Sequence, residues 1–399
     1  MTRPLPDLYP HRAWARDWLF SAALPLWWEK GADHACGGWY DKLDQSANPL
    51  ELPKRLRVQA RQTFVYAEAG RLGWEGPSRE AVQHGLDFMF TRFKRHDGLY
   101  RAAVTREGVP VVEQPDLYDQ AFALFAMAAG FVALGCPPTL KAEAEALLDR
   151  LETLLAHPAG GFDEARPRML PLRSNPHMHL LEALLAWVEA GGGALFERHA
   201  HAVVDLACRQ LIDPVTGAIG EFYDGDWGFH PSQGDVREPG HQYEWAYLLD
   251  RAGSVLGYDH ASRCDRLHRF ATQHGVVDGR VVFSLSADGS VLDPSSRLWA
   301  QTERLRTLLA LAPRLTPDER PAALTGAAEA VGTLKRFLDV PLRGSWVDRV
   351  DQDGRWIDEP APASSFYHIV TGLVPLIEEH DRMDGAPPSA ESHRELSNS

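Results

Sequence analysis

Apolar residues recur with the period of an α-helix along most of the chain. The segments "AVQHGLDFMFTRFKR", "QAFALFAMAAGFVALG" and "LLEALLAWVEAG" each place apolar side chains at positions i, i+3, i+4 and i+7. Segments of the same kind follow in "HAHAVVDLACRQLI", "EWAYLLDRAGSVLG" and "RLRTLLALAPRL". Over the whole chain, this pattern predicts about twelve amphipathic helices in six consecutive pairs.

Short elements rich in glycine and aromatic residues separate the helix pairs. They begin at positions 37, 98, 160, 220, 279 and 344 and read "GGWYDKLD", "GLYRAAV", "GGFDEA", "GEFYDGDWG", "GRVVFSLSADG" and "GSWVDRVDQDG". Turn residues around a short β-type run predict small hairpins. Because the starting positions are 59 to 65 residues apart, the elements mark a regular internal repeat.

Six helical hairpins can stack into an open solenoid or close into a ring. Neither end of the chain has an obvious polar capping repeat, which favours closure. We therefore predict an all-α fold, a closed (α/α)6 barrel with short β-hairpins at one end, forming a single domain over residues 1–383. The polar, Pro- and Ser-rich segment 384–399 is expected to be a disordered tail. Two separate helical domains are the alternative, but they do not explain the even spacing.

Composition narrows the range of partners. The 399 residues include 41 Lys and Arg against 55 Asp and Glu, a net charge of −14, which argues against nucleic acid or an anionic membrane surface as the main partner. No apolar run is long enough to span a membrane, and the N-terminal segment lacks the apolar core of a secretory signal. The four scattered cysteines form no CxxC pair and predict free, buried thiols. We expect a cytoplasmic monomer or homodimer.

One helix of each pair begins with a proline or a proline-led loop, at Pro53, Pro115, Pro176, Pro239, Pro294 and Pro362. Proline suits the first helical turn because its missing N–H has no partner to lose there. A polar or ionisable residue follows each proline: Arg61, Asp119, His179, His241, Glu303 and His368. If these six helices form the inner ring, the six residues converge on one mouth of the barrel.

The histidines are the candidates for acid–base chemistry. A single histidine near a helix start usually has a structural role, but three in corresponding repeats favour a site. The positive end of the helix is expected to keep His241 neutral at pH 7. Glu244, three residues later, can orient His241, bind a hydroxyl or serve only as an intrahelical partner. His177 and His179 point in different directions on a helix, so a metal site there is not expected.

Other side chains suit the binding of a sugar. Arg61 lies on a largely apolar helix, where its guanidinium is either in a structural ion pair or donates to ligand oxygens. Tyr118 and Trp299 can stack on a sugar ring, although a Trp at helical spacing commonly belongs to the core. Asp119 supplies a further carboxylate near the same mouth. The sequence contains no phosphate loop, dinucleotide-binding fingerprint or HExxH motif.

Taken together, these segments resemble the N-acylglucosamine 2-epimerase superfamily, which includes cellobiose 2-epimerases, mannose isomerases and sulfoquinovose isomerases. The matching motifs, in order, are "GGWYDKLD", "QARQTFVYA", "LYDQAFALFA", "NPHMHLLEALLAW", "PGHQYEWAYLL", "LWAQTE" and "PASSFYHIV". The resemblance extends over nearly the whole chain. It implies the same (α/α)6 barrel that the repeat predicts.

The resemblance also implies roles for individual residues. His241 and His368 match the pair of acid–base histidines, and His179 matches the histidine implicated in ring opening. Arg61 matches an arginine that holds substrate oxygens. Glu244 and Glu303 match its acidic partners. The family needs no metal or other cofactor for this chemistry, and "GHQYEW" and "ASSFYH" look closer to the mannose isomerase branch.

This interpretation predicts a sugar aldose–ketose isomerase that interconverts D-mannose and D-fructose through an enediol intermediate. Histidine can serve as both acid and base in such proton transfers. A sugar 2-epimerase on the same scaffold is the alternative, because the number of histidines does not decide where the proton returns. A glycoside hydrolase using Asp119 and Glu303 is more remote, and so is a non-catalytic sugar-binding barrel.

Overall fold

The computed structural model describes residues 8–383, and its helices form two concentric layers. Each inner helix packs against the inner helices on either side of it. The inner helices are α3 (Leu56–Arg71), α5 (Leu117–Ala133), α7 (Ser174–Glu189), α9 (Pro239–Leu256), α11 (Leu298–Leu311) and α13 (Ser364–Met383). Because α13 also packs against α3, the inner ring is closed.

Each outer helix packs on one inner partner. The outer helices are α1 (Tyr9–Trp18), α4 (Ser78–Phe88), α6 (Pro138–Leu155), α8 (Ala194–Leu206), α10 (Ala261–His274) and α12 (Arg320–Leu338). After α1 the chain continues through a π-helical turn at Leu19–Ala23, the short helix α2 (Leu24–Leu26) and a second π-helical turn at Trp27–Gly31. Since α1 packs on α13, the N-terminal segment supplies the outer helix of the last pair.

The strands are short and lie beside the start of each inner helix. They are β1 (Lys42–Leu43), β2 (Lys54–Arg55), β3 (Ala103–Val104), β4 (Pro110–Val112), β5 (Leu172–Arg173), β6 (Phe222–Tyr223), β7 (Val276–Val277), β8 (Arg280–Val281), β9 (Ser284–Leu285), β10 (Val291–Asp293), β11 (Ser296–Arg297), β12 (Arg349–Val350) and β13 (Ala361–Pro362). All pairings are antiparallel. β2 pairs with β3, β5 with β6, β11 with β12 and β13 with β1.

One backbone hydrogen bond repeats around the ring. An N–H at or just before the start of each inner helix donates to a carbonyl of the next repeat. The six bonds run from Leu56 to Ala102, Leu117 to Glu164, Ser174 to Glu221, Arg237 to Leu285, Leu298 to Asp348 and Ala363 to Asp41. The last bond joins the final repeat to the first. The predicted closed barrel with β-hairpins at one end is therefore confirmed.

A buried glutamine side chain ties each of four inner helices to its neighbouring hairpin. Each glutamine amide accepts a backbone N–H and donates to the carbonyl of the same hairpin residue. The pairs are Gln59 with Trp39, Gln120 with Tyr100, Gln242 with Ile219 and Gln301 with Val281. In the repeat of α7, one of the two repeats without this glutamine, His177 accepts the N–H of Phe162. These contacts fix the inner helices relative to the hairpin end.

Three further predictions concern the whole chain. All four cysteines are free, but the expectation that they are buried is wrong for three of them: Cys136 is exposed, Cys36 and Cys208 are half-buried, and Cys264 alone of the four is buried. Within residues 8–383, no helix has the length and apolar character needed to cross a membrane. The predicted tail at 384–399 lies outside the described residues, and the single-domain assignment over 1–383 stays a prediction.

Candidate active site

The predicted site residues lie at the hairpin end of the inner ring, in two layers. Asp119 and His241 are three residues after the N-caps of their helices, Asp116 and Glu238. Arg61, His179 and Glu303 are six residues after their N-caps, Arg55, Arg173 and Arg297. The predicted equivalence of these positions is therefore wrong, because the two sets differ by about one helical turn. The second layer lies deeper in the barrel.

His241 is buried between two carboxylates. Its Nδ1 lies 2.8 Å from Glu221 Oε2 and 3.5 Å from Glu238 Oε2. The other Glu221 oxygen accepts the backbone N–H of Glu238 at 3.1 Å, so Glu221 is held in place. Burial disfavours the imidazolium, but the charges of Glu221 and Glu238 raise the pKa of His241 to about 10. The expectation of a neutral His241 is wrong because two carboxylates outweigh the helix terminus.

His368 has the opposite charge state. Its Nδ1 lies 2.8 Å from Glu303 Oε1, and both side chains are buried. Burial, together with the positive charge of Arg61, holds the pKa of His368 well below its usual range. A neutral His368 that donates from Nδ1 to Glu303 leaves Nε2 with a free lone pair. His368 is therefore arranged as a base and His241 as an acid.

Trp299 contacts both of these histidines. Its ring centroid is 4.9 Å from that of His241 and 5.8 Å from that of His368. Trp299 is on α11, four residues before the buried Glu303. His241 and His368 thus both adjoin the ring of Trp299, an apolar surface of the kind on which a sugar ring can stack.

His179 is the third buried histidine of the cluster. Its Nδ1 lies 3.3 Å from Glu182 Oε2 and 3.8 Å from Glu244 Oε1. Its ring also contacts the rings of Phe122 and Tyr118, with centroids 4.5 and 5.1 Å away. Burial lowers the pKa of His179 to about 4 although Glu182 opposes this effect. His179 is therefore neutral at pH 7.

Glu244 is a buried carboxyl group among other acids. Ligand atoms of Glu244, Glu303 and His368 lie within 4.8 Å of one another. Burial and the neighbouring charges of Glu303 and Glu182 raise the pKa of Glu244 well above its usual value. We therefore expect the protonated form of Glu244, which can donate a hydrogen bond to a substrate oxygen.

Arg61 presents its guanidinium to the same cluster from α3. It donates to the Tyr118 hydroxyl at 2.8 Å and to the backbone carbonyl of Ser364 at 3.3 Å. Its guanidinium carbon lies 4.3 Å from the centroid of the Phe122 ring. The partners of Arg61 named here are neutral, so its positive charge remains available to a developing anion.

Asp119 does not have the geometry of a substrate ligand. Its side chain is fully buried, and its two oxygens accept from Arg57 at 2.8 and 3.0 Å. Arg57 is partly exposed and lies over the Tyr118 ring at 4.6 Å. The predicted substrate-binding role of Asp119 is therefore not supported. Asp119 instead positions Arg57.

Four site residues were missed in the sequence: Glu182, Glu221, Glu238 and Arg306. A signal for Glu221 was present in the repeat. An acidic residue stands two positions after the hairpin residue in four of the repeats, at Asp41, Glu164, Glu221 and Asp348. Three of these acids pair with an arginine at the start of the adjacent inner helix, and Glu221 pairs with His241. Glu182 and Arg306 lie one turn below the predicted layer and had no such signal.

Three groups of side chains are close enough to hold a metal ion. They are His179 with Glu182 and Glu244, His241 with Glu221 and Glu238, and His368 with Glu244 and Glu303. Although the three histidines lie on separate helices, the barrel brings carboxylates to each of them. Each histidine Nδ1 is already paired with a carboxylate. Metal independence stays a prediction, and activity that survives prolonged chelation is the expected result.

The arginines at the mouth of the barrel are paired with acids. Arg57 bonds to Asp119, Arg173 to Glu164 and Arg297 to Asp348. The three arginine side chains are between 27% and 46% exposed. Glu238 at the same rim is 17% exposed. The balance of charge at this mouth therefore does not favour an anionic substituent on the ligand.

Comparison with known proteins links this geometry to one family. The family model for N-acylglucosamine 2-epimerase (GlcNAc 2-epimerase) matches residues 23–372. The mannose-6-phosphate isomerase of Rhizobium meliloti (strain 1021) is 41% identical over 379 residues, covering 92% of this chain and 96% of that protein. The cellobiose 2-epimerase of Bacteroides fragilis is 23% identical over 359 residues, covering 84% and 90%. The crystal structure of a D-mannose isomerase matches this fold with a TM-score of 0.83 at 18% identity, covering 95% of this chain and 100% of that chain.

Proposed function

The chain belongs to the N-acylglucosamine 2-epimerase family, and we propose that it is an aldose–ketose isomerase that interconverts D-mannose and D-fructose. Family membership makes it an isomerase-class enzyme acting on sugars. The choice of an isomerase rests on the surroundings of the two histidines that contact Trp299: Nδ1 of His241 lies near both Glu221 and Glu238, which raise its pKa, whereas Nδ1 of His368 is paired with Glu303 alone and its pKa is lowered by burial. This arrangement suits a reaction in which His368 alone carries the proton between neighbouring carbons, while His241 donates a proton to oxygen.

The first step opens the sugar ring. The imidazolium of His241 donates a proton to the ring oxygen while the bond between that oxygen and C1 breaks. A neutral imidazole, which we assign to His179, accepts the proton of the C1 hydroxyl, and C1 becomes the aldehyde carbon. Glu221 and Glu238 keep His241 charged for this donation.

The second step moves the proton. Nε2 of His368 removes the proton on C2, and the electron pair forms the C1–C2 double bond of an enediolate. The positive charge of Arg61 stabilises the negative charge that develops on O1. The O2 hydroxyl then passes its proton to O1, which becomes a hydroxyl, and His368 returns its proton to C1 as O2 becomes the ketone oxygen. Glu303 holds the His368 ring in position for both transfers.

A 2-epimerase is the second candidate, and the placement of His241 favours it. Because His241 and His368 flank the same Trp299 ring, His241 could deliver a proton to C2 on the face opposite His368. The relative named cellobiose 2-epimerase lends this candidate further support. A glycoside hydrolase using Asp119 and Glu303 has no such support, because Asp119 is buried in its pair with Arg57.

We infer further that the preferred sugar carries no phosphate, since the arginines at the mouth are already paired and the chain has a net charge of −14. A panel of free aldoses and mannose 6-phosphate, with products resolved into ketose and epimer, tests the proposal. We expect mannose to give fructose with the highest kcat/KM. Glucose as the main product would support the epimerase, and faster turnover of mannose 6-phosphate would contradict the assignment of a neutral substrate.

A further inference from the structure

One buried arginine joins two of the histidine–glutamate pairs. Arg306, on α11, is 6% exposed. Its Nη2 lies 3.6 Å from Glu182 Oε1 and its Nη1 lies 3.5 Å from Glu303 Oε2. The other oxygen of each carboxylate contacts a histidine, Glu182 with His179 and Glu303 with His368. The five side chains thus form a continuous chain beneath the site.

We propose that Arg306 is a positioning residue that fixes Glu182 and Glu303, and through them His179 and His368. The two carboxylates are almost fully buried, and an isolated buried carboxylate favours its neutral form. A planar guanidinium can contact both carboxylates at once through different nitrogens, which a lysine ammonium cannot do with the same geometry. Arg306 itself makes no contact with His179 or His368 among its described ion pairs.

The surroundings of Arg306 are titratable on every side. The titratable groups that interact with it are Glu182 from α7, Glu244, Tyr247 and Arg251 from α9, Glu303 from α11, and Tyr367 and His368 from α13. Its guanidinium carbon lies 3.7 Å from the centroid of the Tyr247 ring. Tyr367 also donates its hydroxyl to Glu182. Arg306 is therefore held by contacts from two helices besides its own, α7 and α9.

Charge supports the same role. Burial raises the pKa of Glu303 to about 7, even though Arg306 lowers it. Without Arg306 the pKa of Glu303 rises further, and Glu303 is then protonated through the neutral range. A protonated Glu303 no longer accepts the Nδ1–H of His368 as an anion, so the base is lost as pH falls. The acidic limb of the pH–rate profile is expected to move to higher pH.

A cavity at the opposite end of the barrel from the hairpins gives access to Arg306. It has a volume of about 770 Å³. Its lining includes Tyr247, Arg251 and Arg306, together with several alanines of the inner helices. A small cation can therefore reach the position of the Arg306 side chain without passing through the sugar site.

This inference rests on the proposed function, and chemical rescue tests it. We expect Arg306→Ala to lose at least about 10²-fold in kcat for mannose, the lower range for acid–base groups. Guanidinium chloride at millimolar concentration should restore part of the turnover in a saturable way. Urea, which has a similar shape and no charge, should not. Arg251→Ala is the matched control, since Arg251 lines the same cavity and pairs with Glu189 outside the site.

Two further measurements keep the outcome decisive. If Arg306→Ala does not fold, Arg306→Lys should still be active with an acidic limb between those expected for the wild type and the alanine variant. Titration of ¹⁵N-labelled histidines by NMR, in the wild type and in Arg306→Met, follows His368 without turnover. A shifted His368 pKa in the variant is expected, because both Arg306 and the charge of Glu303 act on His368, and this holds even if mannose is not the substrate. An unchanged His368 titration and pH profile would overturn the positioning role.

Discussion

At the scale of single residues, we expect His368 and His241 to have unequal roles. His368→Asn removes the base that takes the C2 proton, so turnover should fall by at least about 10²-fold with the fold intact by circular dichroism. His241→Asn should also be severely impaired, yet it should still exchange the C2 proton of an open-chain substrate analogue. His199→Asn, on the outer helix α8, is the control. Equal loss of exchange in both site variants would contradict the division of roles.

The charge of His241 leads to a second prediction at this scale. A histidine with a raised pKa keeps its proton until the pH rises through that pKa, here about 10. Glu238→Gln removes one of the two carboxylates that stabilise the imidazolium, so the alkaline limb of kcat/KM should move to lower pH. Glu152→Gln is the control, because Glu152 lies 3.5 Å from a histidine, His199, away from the site. An unshifted alkaline limb would show that Glu238 does not act on His241.

The residue types at the site were predictable, but their charge states were not. His179, His241, His368, Arg61, Glu244 and Glu303 lie in one connected cluster at the predicted end of the barrel. The charge on His241 depends on Glu221, which lies 20 residues earlier in the chain. The pairing of Asp119 with Arg57 spans 62 residues. Such contacts follow from the register of neighbouring repeats, which the sequence pattern alone does not fix.

At the scale of secondary structure elements, the glutamine contacts explain how helices and hairpins keep their register. Gln301→Met preserves the size of the side chain but leaves the N–H and carbonyl of Val281 without their partners. Each unsatisfied buried group costs about 1–3 kcal/mol. The free energy of unfolding, measured with denaturant, should therefore fall by roughly that amount or more. Gln83→Met is the control on the exposed face of α4, and an equal, small effect in both variants would contradict this role.

Helix positions were predictable because apolar periodicity is a local property. Helix ends were also marked in the sequence. For example, α9 begins at Pro239 and ends just before Gly257, a glycine in the left-handed region with φ of 78°. The one-turn difference between His241 and His179 was not apparent, because repeat lengths of 59 to 65 residues conceal a shift of three. Loop insertions of this size change the depth of a side chain in the barrel without disturbing the hydrophobic pattern.

At the scale of the whole molecule, closure of the ring is what brings the acid and the base together. The backbone bond from Ala363 to Asp41 and the pairing of β13 with β1 join the two ends of the repeat array. His368 on α13 then lies beside Glu303 on α11 and within the field of Arg61 on α3. An open solenoid with the same repeats would leave α3 and α13 apart, so the site depends on all six repeats.

The most direct test of the single-base isomerase mechanism is the conversion of mannose in heavy water, with the position of the deuterium determined by NMR. In the proposed mechanism, His368 removes the C2 proton and returns a proton to C1, while His241 acts on oxygen. We therefore predict fructose labelled at C1, with little glucose formed. Glucose labelled at C2 as the main product would contradict the single-base isomerase and assign to His241 the delivery of a proton to the opposite face of C2.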